Sequence, residues 1–186
     1  MTGPDPALLL ELDDETRSAQ LDRVTAWLAA TRTLQTAYRK LLDDTVGGVA
    51  EPHIREYLAG LARDAREHEV AALNLYRAFG REPQGVAVQT VVGAATAKVR
   101  EVVGTVEGAL AGGRGGSWRK LRELLLSNLD ATSGFAVTEQ LGLALGIPAV
   151  VDITFPVVRR KTEQQLLLRE YLLETASVAI LYQRDT

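Results

Sequence analysis

Apolar residues return along this chain at alternating intervals of four and three, the spacing that places side chains on one stripe of an α-helix. The clearest case runs from Glu51 to Pro83, where Ile54, Leu58, Leu61, Ala65, His68, Ala72, Leu75 and Phe79 form the stripe. A first helix is predicted from Asp13 or Asp14, acids suited to a helix start, to about Val46, with Leu21, Val24, Leu28, Thr31, Gln35, Tyr38 and Leu42 as its seam. The short loop GGVAEP makes these two helices an antiparallel hairpin. Residues 86–111 keep helical spacing through Val88, Val92, Ala95, Val99, Val102, Val106 and Leu110, and predict an extra helix.

After the glycine-rich AGGRGGS, read as a linker, Trp118 opens a third long helix ending near Gly146, with Trp118, Leu121, Leu125, Asn128, Thr132, Phe135 and Glu139 on its stripe. Leu124, Leu129, Ala136 and Leu143 are expected to widen it. Gly146 and Pro148 supply the stop. Residues 149–156 are expected to connect to a last helix that starts at Phe155 or Val157 and ends at Tyr182, with Leu166, Leu167, Leu173, Val178, Ile180 and Leu181 as its apolar residues. Residues 1–12 are expected to be a flexible N-terminus and 13–183 one helical domain.

Composition narrows the class. A net charge of -3 and the short basic cluster Arg159, Arg160, Lys161 argue against nucleic-acid binding, which needs a basic face. The chain has no cysteine, which removes disulfides, thiolate metal sites and cysteine nucleophiles. No apolar run reaches the length of a membrane span and the N-terminus lacks the pattern of a signal peptide, so a cytoplasmic protein without a membrane role is expected. There is no nucleophile elbow, no HExxH and no dinucleotide or phosphate-binding glycine motif, and no catalytic residue is assigned.

The polar residues inside the seams are the remaining candidates. Thr31 and Gln35 on the first helix come within about a turn of His68 on the second, at the depth where helical bundles hold metals. One reading makes this a hydrogen-bonded layer in which Thr31, Gln35, Asn128 and Thr132 satisfy one another around His68 and fix the bundle's register. The other makes His68, with Asp64, Glu67 and Glu170, and with Gln35 and Glu139 nearby, an oxygen-rich metal site. His53 reads as a surface residue at a helix start, Glu163, Glu170 and Glu174 as acids solvated or paired with Arg159, Arg160 and Arg169, and the tyrosines as packing residues.

Three phrases, RDAREHEVAALNLYRAFGREP, AVQTVVGAATAKVREVV and WRKLRELLLSNLDATSGF with TEQLGLALG, resemble the ferritin-like proteins of the bacterial stress-induced YciE/YciF type. The resemblance implies an all-α ferritin-like four-helix bundle with an extra helix between helices two and three. It also implies a di-iron site built from a glutamate on helix one, Glu-x-x-His on helix two and the same again from helices three and four. At those places this chain has Gln35, then Ala65 before His68, then Ala131, Thr132, Ser133 and Gly134. The expected function is therefore a non-catalytic, stress-associated bundle acting through homodimerisation or a protein partner, without a cofactor. A homodimer would cover the stripe of Val88, Val92 and Val99. The alternative is a metalloprotein binding iron or manganese around His68.

Overall fold

The computed structural model describes residues 13–83, 116–182 and 184. Among these residues the chain is all-helical, with four helices: α1 (Asp14–Val46), α2 (Pro52–Ala78), α3 (Gly116–Ala144) and α4 (Pro148–Leu181). The predicted extra helix over 86–111 and the N-terminal residues 1–12 lie outside the described residues.

Each boundary has a local cause. Asp13 caps α1 by accepting the Thr16 backbone N–H at 2.7 Å, which satisfies one of the free donors of the first turn. Pro52 and Pro148 sit in the first turns of α2 and α4, where a missing N–H is harmless. Gly80 and Gly146 close α2 and α3 at φ of 65° and 66°, the left-handed geometry that a side chain resists.

The helices form an antiparallel bundle. At one end Arg81, just past α2, donates to the Ser18 carbonyl of α1; at the other, the Ser117 hydroxyl of α3 donates to the Gly48 carbonyl after α1. The pairs Thr31 with Gly134, His53 with Glu174 and Asn128 with Lys161 fix α1 against α3, α2 against α4 and α3 against α4. α2 and α3 therefore run in the same direction.

The core has two apolar halves. One gathers Tyr38, Leu42, Leu58, Leu61, Leu121, Leu124 and Leu168; the other gathers Val24, Leu28, Leu75, Tyr76, Phe79, Phe135 and Val150. All eight stripe residues of α2 are buried, as are Val24 to Leu42 of the α1 seam.

Two helices differ from the sequence reading. α4 begins at Pro148, so residues 149–156 are helix and not a connector, and Pro156 lies inside it. A proline removes one helical hydrogen bond. Here Pro156 is on the exposed side while Val150, Thr154 and Val157 are buried, so packing on the inner face holds the helix through it.

The buried stripe of α4 is Val150, Thr154, Val157, Lys161, Gln164, Leu168, Thr175 and Ala179. Leu166, Leu167, Leu173, Ile180 and Leu181 are instead exposed. On α3, Leu121, Asn128 and Phe135 of the expected stripe and the widening Leu124 are buried, joined by Ala131 and Thr138, while the widening Leu129 and Leu143 are exposed.

Candidate functional site

Lys161 sits where the two apolar halves meet. Its seam neighbours Val157 and Leu168 belong to different halves, and the side chain is 0 % exposed. The 4–3 spacing from Val150 through Val157 to Gln164 passes through Lys161, which was the signal available in the sequence. Its place in the run Arg159, Arg160, Lys161 masked that signal, because consecutive residues of a helix point in different directions.

The amine has few partners. Nζ donates to Asn128 Oδ1 at 3.3 Å and lies 4.1 Å from the centroid of the Tyr38 ring, a cation–π arrangement. No carboxylate pairs with it among the described residues. Burial therefore drives its pKa down from 10.5 to about 7, since an ammonium loses its hydration with little in return. Burial likewise pushes the Tyr38 hydroxyl well above its usual value.

The surrounding layer is polar but incompletely satisfied. Gln35 donates to the Ala65 carbonyl at 2.9 Å, Thr31 to the Gly134 carbonyl at 3.4 Å, and Asn128 to the Lys161 carbonyl and to Gln165 Oε1. Thr132 donates to the Asn128 carbonyl. The expected mutual network among Thr31, Gln35, Asn128 and Thr132 is thus replaced largely by bonds to backbone carbonyls. Gln35 Oε1, the Tyr38 hydroxyl, His68 Nδ1 and Gln164 Oε1 are buried with no hydrogen-bond partner among the described residues, an arrangement that costs free energy.

His68 is buried and meets Phe135 edge-on, with ring centroids 6.5 Å apart. Burial, and secondarily the charge of Lys161, lower its pKa from 6.5 to about 4, against a smaller upward pull from Asp64. It is therefore neutral at pH 7.

Between α2 and α4 the surface carries two clefts, of about 550 and 440 Å³. Gln164 lines the first and His68 the second; Asp64 and Arg160 line both. Asp64 holds the Gln164 amide at 2.6 Å and Arg160 at 3.0 Å.

Of the four sequence-predicted metal candidates, Asp64, Glu67 and His68 border the second cleft, whereas Glu170 is exposed beside Arg169. Glu139 accepts from the Thr154 hydroxyl at 3.2 Å. Among the described residues no three His, Asp or Glu side chains are grouped to hold a metal ion. A two-metal bundle site needs bridging carboxylates and an imidazole for each ion. A layer of neutral amides, one histidine and a lysine does not fit it.

Most of the remaining residues fall as read from the sequence, Tyr182 being the exception among the tyrosines expected to pack. His53 is on the surface, 3.1 Å from Glu174, and Arg159 pairs with Glu163 at 3.1 Å. Tyr38 and Tyr76 are buried; Tyr182 is exposed. Two further residues went unremarked in the sequence: Trp27, whose indole N–H donates to the Gly134 carbonyl, and Gly142, against which Val150 packs.

Comparison with protein-family models, curated proteins and solved structures finds no match to this chain. Among the described residues no helix is long and apolar enough to cross a membrane.

Proposed function

We propose that this chain is a non-catalytic, stress-associated bundle of ferritin-like type that acts through self-association or a protein partner. The observation that carries this reading is the Lys161 amine in the central layer, beside His68 and over the Tyr38 ring. In a metal-bearing bundle that depth holds cations between inward carboxylates. Here a basic side chain has that depth, and Gln35, Asn128 and Gln164 offer neutral amides. An ammonium opposes a second cation by charge, and amides cannot bridge two ions. The parallel course of α2 and α3 supports the ferritin-like resemblance, and the three sequence phrases support the stress association.

Self-association is favoured by the outer face of α4. Leu166, Leu173 and Ile180 are exposed seven residues apart, so they form one stripe. Leu126, Leu129 and Val137 are exposed on α3. Apolar area of this kind is a contact surface in search of cover.

A second reading, iron or manganese held at His68 with Asp64 and Glu67, draws on the buried and partnerless Nδ1 of His68. Metal content separates the two. Untagged protein, purified without chelator and reloaded anaerobically with ferrous iron, is expected to retain far less than one ion per chain. Stoichiometric iron that disappears in His68→Ala would sink the first reading in favour of the second.

A further inference from the structure

The two clefts between α2 and α4, of about 550 and 440 Å³, meet at Asp64 and Arg160, which line both. On α2 their lining residues Glu56, Gly60, Arg63, Glu67, Ala71 and Asn74 recur at intervals of three and four, so they share one stripe of the helix and the clefts form one groove. The groove holds five carboxylates, Glu56, Asp64, Glu67, Asp152 and Glu163, against two guanidinium groups, Arg63 and Arg160. Arg160 is taken up by Asp64 at 3.0 Å and Glu163 at 3.9 Å, whereas Glu56, Glu67 and Asp152 have no ion-pair partner among the described residues.

Each cleft also contains a buried polar side chain short of a partner. Gln164, 3 % exposed, lines the larger cleft and gives its amide N–H to Asp64, while its Oε1 accepts nothing among the described residues. His68, 7 % exposed, lines the smaller cleft, and its Nδ1 is likewise unpartnered among them. An amide oxygen only accepts, and a neutral imidazole with its proton on Nε2 accepts at Nδ1, so both call for a ligand that donates. Gly60 adds a third observation. It lies inside α2, where glycine costs about 1 kcal/mol relative to alanine, yet a Cβ there would meet nothing closer than the Arg63 guanidinium at 3.7 Å. Unlike Gly134 and Gly142, it answers no packing demand of the bundle, and it leaves the larger cleft open.

We propose that this groove binds a linear aliphatic polyamine. Its ammonium groups meet the unpaired carboxylates, Glu56 in one cleft and Glu67 with Asp152 in the other, and supply N–H donors to Gln164 and His68. Its methylenes run over Leu61 and Leu167, then over Ala71, Ile153 and Val157. The spread of the acids selects this ligand over a point cation. Glu56 and Glu67 are three turns apart on α2, about 16 Å along the axis, and no three His, Asp or Glu side chains among the described residues converge to hold one metal ion. The surplus of carboxylates disfavours an anion.

Isothermal titration calorimetry of the full chain at fixed ionic strength, with spermidine as the probe, tests this. Spermidine is expected to bind at least about tenfold more tightly than magnesium, which keeps its water and needs converging oxygens. It should exceed trilysine, whose amines sit on separate side chains of a peptide, by a similar factor. Glu67→Gln combined with Asp152→Asn should weaken spermidine at least about tenfold. Gly60→Leu, which fills the larger cleft and removes no charge, should weaken it comparably while helicity and unfolding midpoint hold or rise. Spermidine bound no more tightly than magnesium, or binding undiminished in either variant, would overturn the proposal. Trilysine bound as tightly as spermidine would overturn a free polyamine as the ligand.

Discussion

The Lys161 amine lies 4.1 Å from the centroid of the Tyr38 ring, and this contact joins α4 to α1 across the middle of the bundle. Both side chains are 0 % exposed. A basic group is thereby held in an apolar core chiefly by the face of an aromatic ring and one amide oxygen, which makes the stability of the fold depend on proton concentration.

The sign of that dependence follows from the depressed pKa. Between about 7, the folded value, and 10.5, the unfolded value, the unfolded chain binds more protons than the folded one. Stability therefore rises with pH above 7, with a slope approaching about 1.4 kcal/mol per pH unit for one group. Denaturant unfolding at pH 7, 8 and 9 should show this rise. Lys161→Met should flatten it and raise stability at pH 7 by about 1 to 2 kcal/mol, as removal of a poorly compensated buried charge does. A variant with the wild-type slope would show that the amine does not titrate in the core.

His68 acts in a lower window. Its folded pKa of about 4 lies below the unfolded 6.5, so the stability it lends is present above pH 6.5 and drains away as pH falls toward 4. Burial is the larger cause and the charge of Lys161 the next. The difference in unfolding free energy between wild type and His68→Leu, measured at pH 7, 5.5 and 4.5, should shift in favour of the variant as the solution becomes acidic. The subtraction cancels the titration of carboxylates common to both proteins.

Gly142 is a packing requirement. A Cβ at that position would fall 2.6 Å from both Cβ and Cγ1 of Val150, inside the distance that two carbons tolerate. Gly142→Ala should destabilise the fold by about 1 to 3 kcal/mol, the range for overpacking. In a Val150→Ala background the same change should cost less by about 1 kcal/mol, which a double-mutant cycle measures. Equal costs in both backgrounds would locate the strain elsewhere.

The outer stripe of α4 makes a prediction about assembly. Leu173 is 60 % exposed, so Leu173→Glu should leave helicity and unfolding midpoint nearly unchanged. If this stripe joins two copies, light scattering should then report one chain's mass for the variant and two for the wild type. A wild type that already scatters as a single chain would remove self-association from the proposed function.

Much of the fold was legible in the sequence because α1 and α2 bury one narrow stripe each, and the 4–3 spacing of Val24 to Leu42 and of Ile54 to Phe79 traces those stripes directly. α3 and α4 were harder, since leucines surround much of their circumference. In α4 the apolar residues Leu166, Leu173 and Ile180 face outward while Thr154, Lys161 and Gln164 face inward, so residue type misreports the face and only the spacing is reliable. Gly134, at a place where the resemblance noted in the sequence would put a metal ligand, has a packing reason. A Cβ there would come within 3.4 Å of the Thr31 backbone, and its carbonyl receives Trp27, Thr31 and Thr138.

The sequence by itself determined the helical class, the first hairpin and the presence of a polar layer around His68, because periodicity along one chain records which residues must share a face. It could not determine which residues from separate helices complete that layer. Only the tertiary structure brought Lys161 over Tyr38 and against Asn128, because the pairing depends on the mutual rotation and register of three helices. Those are chosen by close packing at contacts such as Gly134 with Thr31 and Gly142 with Val150, and not by the periodicity of any one segment.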